Sequence, residues 1–137
     1  MDTLQITFWA IIIFGAAAWA YIVFAKPAHG NSTLAAMLSG GFGAYTAVQI
    51  WQEGVVMFFT NHSVNLTGIQ VWWDLVMCVM IALFFIAPRA RKVGMNVPLW
   101  ALLCGCTASI GLLAMIARLF WLENQTETPS VANPAKA

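Results

Sequence analysis

Three ionisable side chains lie inside apolar stretches of this sequence, where a charge is costly. They are Glu53, Asp74 and Arg118. A charged residue at the centre of a membrane-spanning helix costs roughly 2.5–3.5 kcal/mol, and the cost falls toward the helix ends. Two carboxylates and one guanidinium could offset that cost by pairing with one another. They could instead form a polar site for a proton, an ion or a small headgroup.

Two glutamines extend this polar set. Gln49 precedes Glu53 by one helical turn, and Gln70 precedes Asp74 by one turn, so each pair shares a helix face. Three interpretations stay open at this point. The residues could form an internal network that locks the helices together, line a pocket, or contact a helix of another protein.

The composition predicts a membrane protein. Of the 137 residues, 61% are hydrophobic and 8% are charged. Soluble domains carry roughly 25% charged residues, so this chain has too few charges to cover a surface that faces water. The lipid bilayer is therefore the expected solvent. The net charge of +1, without a long basic block, gives no indication of nucleic-acid binding.

Motifs for catalysis or metal binding are absent from the sequence. There is no HExxH, no GxSxG, and no cysteine spacing typical of a zinc or haem site. Cys104 and Cys106 form a CxC pair without further ligands nearby. The sequence thus indicates a non-enzymatic protein without a catalytic residue, a metal or a cofactor. A bound lipid, quinone or carotenoid remains compatible with its apolar character.

Four apolar stretches predict an all-α fold, with four transmembrane helices in an antiparallel bundle. A helix needs about 20 mostly apolar residues to cross a bilayer. The predicted helices cover about residues 4–25, 34–60, 68–87 and 98–122. The third is expected to end at Pro88, because proline interrupts a helix. The polar tail at 123–137 is predicted to be disordered.

Small residues predict where these helices pack closely. One group lies in the second helix and comprises Gly40, Gly41 and Gly43. The other lies in the last helix, where Ala101, Gly105 and Ser109 recur every four residues. This small-xxx-small pattern is typical of helices whose backbones approach each other in a membrane.

The positive charges predict the orientation. Arg89, Arg91 and Lys92 directly follow the third predicted helix. The positive-inside rule then assigns the loops 26–33 and 88–97 to the cytoplasm and both termini to the outside. In this topology all three ionisable residues of the polar set lie within about 6–11 Å of the outer boundary.

Short motifs run through the last two thirds of the chain. They are Trp51-x-Glu53-Gly54, an outer-loop asparagine (Asn61 or Asn65), Asp74-Leu75, the basic turn with Gly94-Met95, Trp100, and an arginine near the end of the last helix. With these motifs the chain resembles, over about residues 45–125, a family of small bacterial multi-pass membrane proteins of unknown function. The resemblance implies a helical protein of the bacterial inner membrane and carries no activity.

These observations favour a non-catalytic accessory or scaffolding subunit of a larger membrane complex. Its partners would be other membrane-protein subunits or further copies of the chain, in addition to the lipid bilayer. The alternative is a small carrier, channel-like or ligand-binding protein that uses the acidic residues and Arg118. An enzyme acting on a lipid-soluble substrate has the least support.

Overall fold

The computed structural model describes residues 2–25 and 30–127, apart from the side chains of Phe58 and Glu127. Within these ranges the chain contains helices and no strand, which confirms the all-α prediction. The helices are α1 (Thr3–Phe24), α2 (Ser32–Glu53), α3 (Val55–Thr60), α4 (Leu66–Lys92), α5 (Val97–Thr107) and α6 (Ser109–Glu127). They form two compact units, one with α1 and one with α2 to α6.

The helix α1 is apolar on all sides. It has 22 residues, none of them buried, and spans about 33 Å. By length and composition α1 and α4 are the two described helices that could cross a membrane. The structure therefore confirms an all-helical fold with two helices that are long and apolar enough to cross a membrane. It does not confirm four membrane-spanning helices.

A glycine divides the predicted helix at 34–60 into two. Gly54 has φ 81° and ψ 159°, a conformation that favours glycine, and it separates α2 from the short α3. The start of α2 is capped by Asn31, whose Oδ1 accepts a hydrogen bond from the Leu34 N–H at 2.9 Å. The Ser39 hydroxyl donates to the Ile110 carbonyl oxygen at 2.9 Å and fastens α2 to α6.

The helix α4 continues through Pro88, beyond its predicted end. A Schellman motif terminates it, in which the Met95 N–H donates to the Ala90 carbonyl and the Gly94 N–H donates to the Arg91 carbonyl. Gly94 supplies the positive φ of 75° that this motif requires. Ala90 is fully buried, so packing holds the last turn in place although Pro88 lacks an N–H.

The largest departure from the sequence prediction occurs at Ala108. The continuous helix expected over 98–122 is instead two helices, α5 and α6, joined by this one residue with φ 48° and ψ −118°. A Cβ added to Gly111 would lie 2.9 Å from the Leu103 carbonyl oxygen. In an unbroken helix these two residues would be about 12 Å apart. The chain therefore reverses, and α5 and α6 form an antiparallel hairpin.

The reversal brings the end of α6 beside the end of α4. Arg89 donates two hydrogen bonds to Glu123, from Nε to Oε1 at 3.0 Å and from Nη2 to Oε2 at 2.6 Å. The guanidinium also lies 5.5 Å from the ring centre of Phe120. A buried core joins the three helices here and comprises Ala90, Met95, Val97, Cys104, Met115 and Leu119. We call this end of the second unit the basic end.

The geometry of the hairpin corrects one sequence interpretation. The sequence predicts that the end of the last helix and Arg89 lie on different sides of the membrane. In the structure Glu123, near that end, lies beside Arg89. The first residues of the predicted polar tail, Glu123 to Glu127, belong to α6. Residues 128–137 and residues 26–29 of the first predicted loop lie outside the described residues.

We expect Gly111→Ala to destabilise the protein. The new methyl group would meet the Leu103 oxygen at 2.9 Å and the Thr107 hydroxyl at 2.6 Å, so the hairpin must shift. Overpacking of this kind costs about 1–3 kcal/mol. The measurement is thermal unfolding in detergent. Gly105→Ala is the control, because a Cβ at Gly105 meets nothing within 4 Å. Equal melting temperatures for the two variants would contradict the hairpin.

Candidate functional site

A cavity of about 450 Å³ lies in the unit formed by α2 to α6. It is bounded by α2, α3, the first part of α4, and the reversal between α5 and α6. Its walls are mostly apolar and comprise Phe42, Ile50, Val55, Phe59, Val71, Trp72, Leu75 and Ile110. Its size and its lining are typical of a site for a small molecule.

Two local features position the wall made by α3. The break at Gly54 redirects the chain after α2. The ring of Phe59 then stacks on the ring of Trp72, with centroids 5.7 Å apart and planes at 6°. This contact holds α3 against α4 and closes one side of the cavity.

Four polar side chains reach the cavity. They are Thr46 on α2, His62 in the turn before α4, and Thr107 and Ser109 on either side of the reversal. The Thr107 hydroxyl donates to the Leu103 carbonyl at 2.7 Å, which leaves its oxygen lone pairs as acceptors. The last carbonyls of one helix and the first N–H groups of the next lack helical partners. The reversal therefore gives the cavity a floor that carries the side chains of Thr107 and Ser109, beneath apolar walls.

The position of His62 depends on a glycine across the turn. A Cβ at Gly68 would lie 2.7 Å from the His62 carbonyl oxygen, so only glycine allows the turn to close so tightly. Asn65 caps α4 in the same turn, and its Oδ1 accepts a hydrogen bond from the Gly68 N–H at 2.7 Å. Sequence reasoning missed His62, although the Asn65-x-x-Gly68 spacing marks the turn that positions it.

None of the three predicted ionisable residues lines the cavity. Glu53, Asp74 and Arg118 are exposed, and they form no ion pair with one another. The Arg118 guanidinium instead lies 4.2 Å from the ring centre of Trp121. The predicted neighbours Gln49 and Gln70 also do not line the cavity.

The hairpin explains why Arg118 and Asp74 do not meet. Asp74 lies about 22 Å along α4 from Arg89, whereas Arg118 lies only about 8 Å along α6 from Glu123. Because Arg89 pairs with Glu123, about 15 Å along the bundle axis separates Arg118 from Asp74. The prediction that Glu53, Asp74 and Arg118 lie at the same depth assumed that the last helix is continuous.

The predicted small-residue groups are also divided. Ala101 and Gly105 lie on α5 and Ser109 lies on α6, so the three do not form one helix face. Gly105 and Ser109 line the cavity instead. On α2, a Cβ at Gly43 would lie 3.7 Å from the Ile110 side chain, where α2 packs on α6. The other two glycines, Gly40 and Gly41, face open space.

No protein-family model, curated protein or solved structure matches this chain. The resemblance to a family of small bacterial membrane proteins therefore stays a prediction. Among the described residues, no group of three or more His, Cys, Asp or Glu side chains could hold a metal ion. The cavity is the feature from which a function can be argued.

Two double-mutant cycles test whether Arg89 pairs with Glu123 and whether Arg118 pairs with Asp74. We expect Arg89→Gln and Glu123→Gln to couple by about 0.2–1 kcal/mol, as partly exposed ion pairs do. Asp74→Asn and Arg118→Gln should be additive within about 0.3–0.5 kcal/mol, because the groups are far apart. Both cycles are measured by unfolding in the same detergent. Coupling between Asp74 and Arg118 above that limit would contradict the separation described here.

Proposed function

We propose that this protein is a non-enzymatic, multi-pass membrane protein that binds a small, mostly apolar ligand in its cavity. The observation that carries the proposal is the cavity itself, with about 450 Å³, apolar walls and a few polar groups. Pockets that bind small molecules combine these properties, since apolar walls supply affinity and a few polar groups fix orientation.

The lining favours a ligand with an apolar body and one or two hydrogen-bonding groups. The apolar body would contact the aromatic wall formed by Phe42, Phe59 and Trp72. The polar groups would meet the floor at Thr107 and Ser109. A quinone or a lipid chain with its ester group has this character. A hydrocarbon carotenoid has no group to pair with the floor.

The proposed arrangement in the membrane differs from four simple crossings. In this arrangement α4 crosses the bilayer, and α2, which is less apolar than α1 and α4, crosses it packed against α6. The α5–α6 hairpin enters and leaves from the basic end. The helix α5 has 11 residues and is about 16 Å long, which is roughly half the thickness of a hydrocarbon core of about 30 Å. The reversal would then lie near the middle of the bilayer. Non-helical backbone at that depth is tolerated where it is buried in protein or lines a water-filled cavity.

The positive-inside rule supports a cytoplasmic basic end in a bacterial inner membrane. The turn after Lys92 and the end of α6 would both face the cytoplasm. The turn at His62 would face the outside.

A role as an accessory subunit is the second candidate. Gly40 and Gly41 are exposed neighbours on α2, and a Cβ at either position would meet nothing within 4 Å. Another helix backbone could approach this smooth surface closely. Such a contact would join the protein to another membrane subunit or to a second copy.

The topology is tested by cysteine labelling in intact cells. Single cysteines at Lys92 and Gln125 should react from the same side, and a cysteine at Asn61 from the opposite side. The background replaces the exposed Cys78 and Cys106 with alanine. If the positions of Lys92 and Gln125 are labelled from opposite sides, then α5 and α6 together cross the membrane once and the hairpin arrangement is wrong.

Ligand binding is tested by native mass spectrometry after purification in mild detergent. We expect a small apolar molecule to be retained by the parent protein. Gly105→Leu should abolish its retention, because Gly105 lines the cavity and a leucine there would take up part of its volume. Gly40→Leu is the matched control, since it adds the same side chain in open space outside the cavity. Equal retention by both variants, or none by the parent, would contradict the proposal.

A further inference from the structure

The hairpin gathers positive charge at one end of the second unit. Between residues 30 and 127, every Lys and Arg lies toward the basic end, and they are Arg89, Arg91, Lys92 and Arg118. Arg118 joins this set only because α6 returns toward the end of α4. The carboxylates Glu53 and Asp74 lie on segments toward the other end.

The positive charge of this end is only partly neutralised. Glu123 pairs with Arg89, and residues 89–127 contain one more carboxylate, Glu127. Arg91, Lys92 and Arg118 are exposed and have no ion pair in the described part of the chain. With four cations and two carboxylates, residues 89–127 therefore carry an excess of two positive charges.

Exposed apolar side chains adjoin these cations. Phe84 and Phe85 lie just before Arg89 on α4, with 79% and 70% of their surfaces exposed. Leu99 and Leu102 are exposed on α5. Trp121 lies beside Arg118 and is itself partly exposed. A border of cations and tryptophan next to an apolar band is the arrangement of a membrane–water interface.

We propose that the basic end binds the headgroups of anionic phospholipids in the leaflet that it faces. Basic clusters next to membrane helices attract anionic lipids, and each cation near the surface contributes separately. The adjoining apolar band favours a lipid over an acidic protein partner, because a lipid supplies both an anionic headgroup and hydrocarbon chains. This site is separate from the cavity, and the proposal does not depend on a ligand there.

The test uses delipidated full-length protein in a neutral detergent. Phosphatidylglycerol and phosphatidylcholine are titrated separately, and bound lipid is counted by native mass spectrometry. We expect tighter binding of phosphatidylglycerol. Each neutralised cation should weaken it about fivefold, so Arg91→Gln with Lys92→Gln should weaken it about 25-fold and Arg118→Gln about fivefold. Binding of phosphatidylcholine should not change.

Two controls separate the proposal from its alternatives. Glu53→Gln changes the charge at the other end and should leave binding of phosphatidylglycerol unchanged. Gly105→Leu alters the cavity and should leave it unchanged as well. Equal binding of the two lipids, or unchanged binding in the arginine and lysine variants, would overturn the proposal. Full displacement of phosphatidylglycerol by equimolar glycerol phosphate or by a poly-glutamate peptide would also overturn it.

Discussion

The close approach of α6 to α5 at Gly111 is the contact on which the rest of the second unit depends. A residue with a side chain at this position would collide with the Leu103 carbonyl and the Thr107 hydroxyl. Because Gly111 has none, the chain can reverse at Ala108 and bury Cys104 against the following helix. The ion pair between Arg89 and Glu123 follows from the same reversal, since it brings the ends of α4 and α6 together.

The cavity follows from the difference in length between the helices. With 27 residues α4 is about 40 Å long, whereas α5 has 11 residues and is about 16 Å long. The hairpin therefore packs along the last part of α4 and does not reach its first part. The short α3, attached by the stacking of Phe59 on Trp72, covers this region without filling it. The space that remains is the cavity.

The sequence was sufficient to predict helices and insufficient to predict the path of the last one. Apolar runs and capping residues identify α1 and the start of α2 to within a few residues. Gly54, a residue type that weakens a helix, lies at the break between α2 and α3. Ala108 carries no such signal, because alanine is a good helix former and rarely adopts a positive φ. Hydropathy is also similar for a crossing helix and for a hairpin, so the sequence alone does not place Arg118 relative to Asp74.

The reversal also constrains what the cavity can hold. A helix end inside an apolar environment leaves carbonyl and N–H groups without helical partners, and an unpaired buried group costs about 1–3 kcal/mol. The Ser39 hydroxyl donates to the Ile110 carbonyl, which belongs to the first turn of α6, so it pairs with none of these groups. A wholly apolar occupant would offer them no partner, whereas a molecule with a carbonyl or hydroxyl could pair with them. The local geometry that creates the cavity thus favours a ligand with a polar group at the end that faces Thr107 and Ser109.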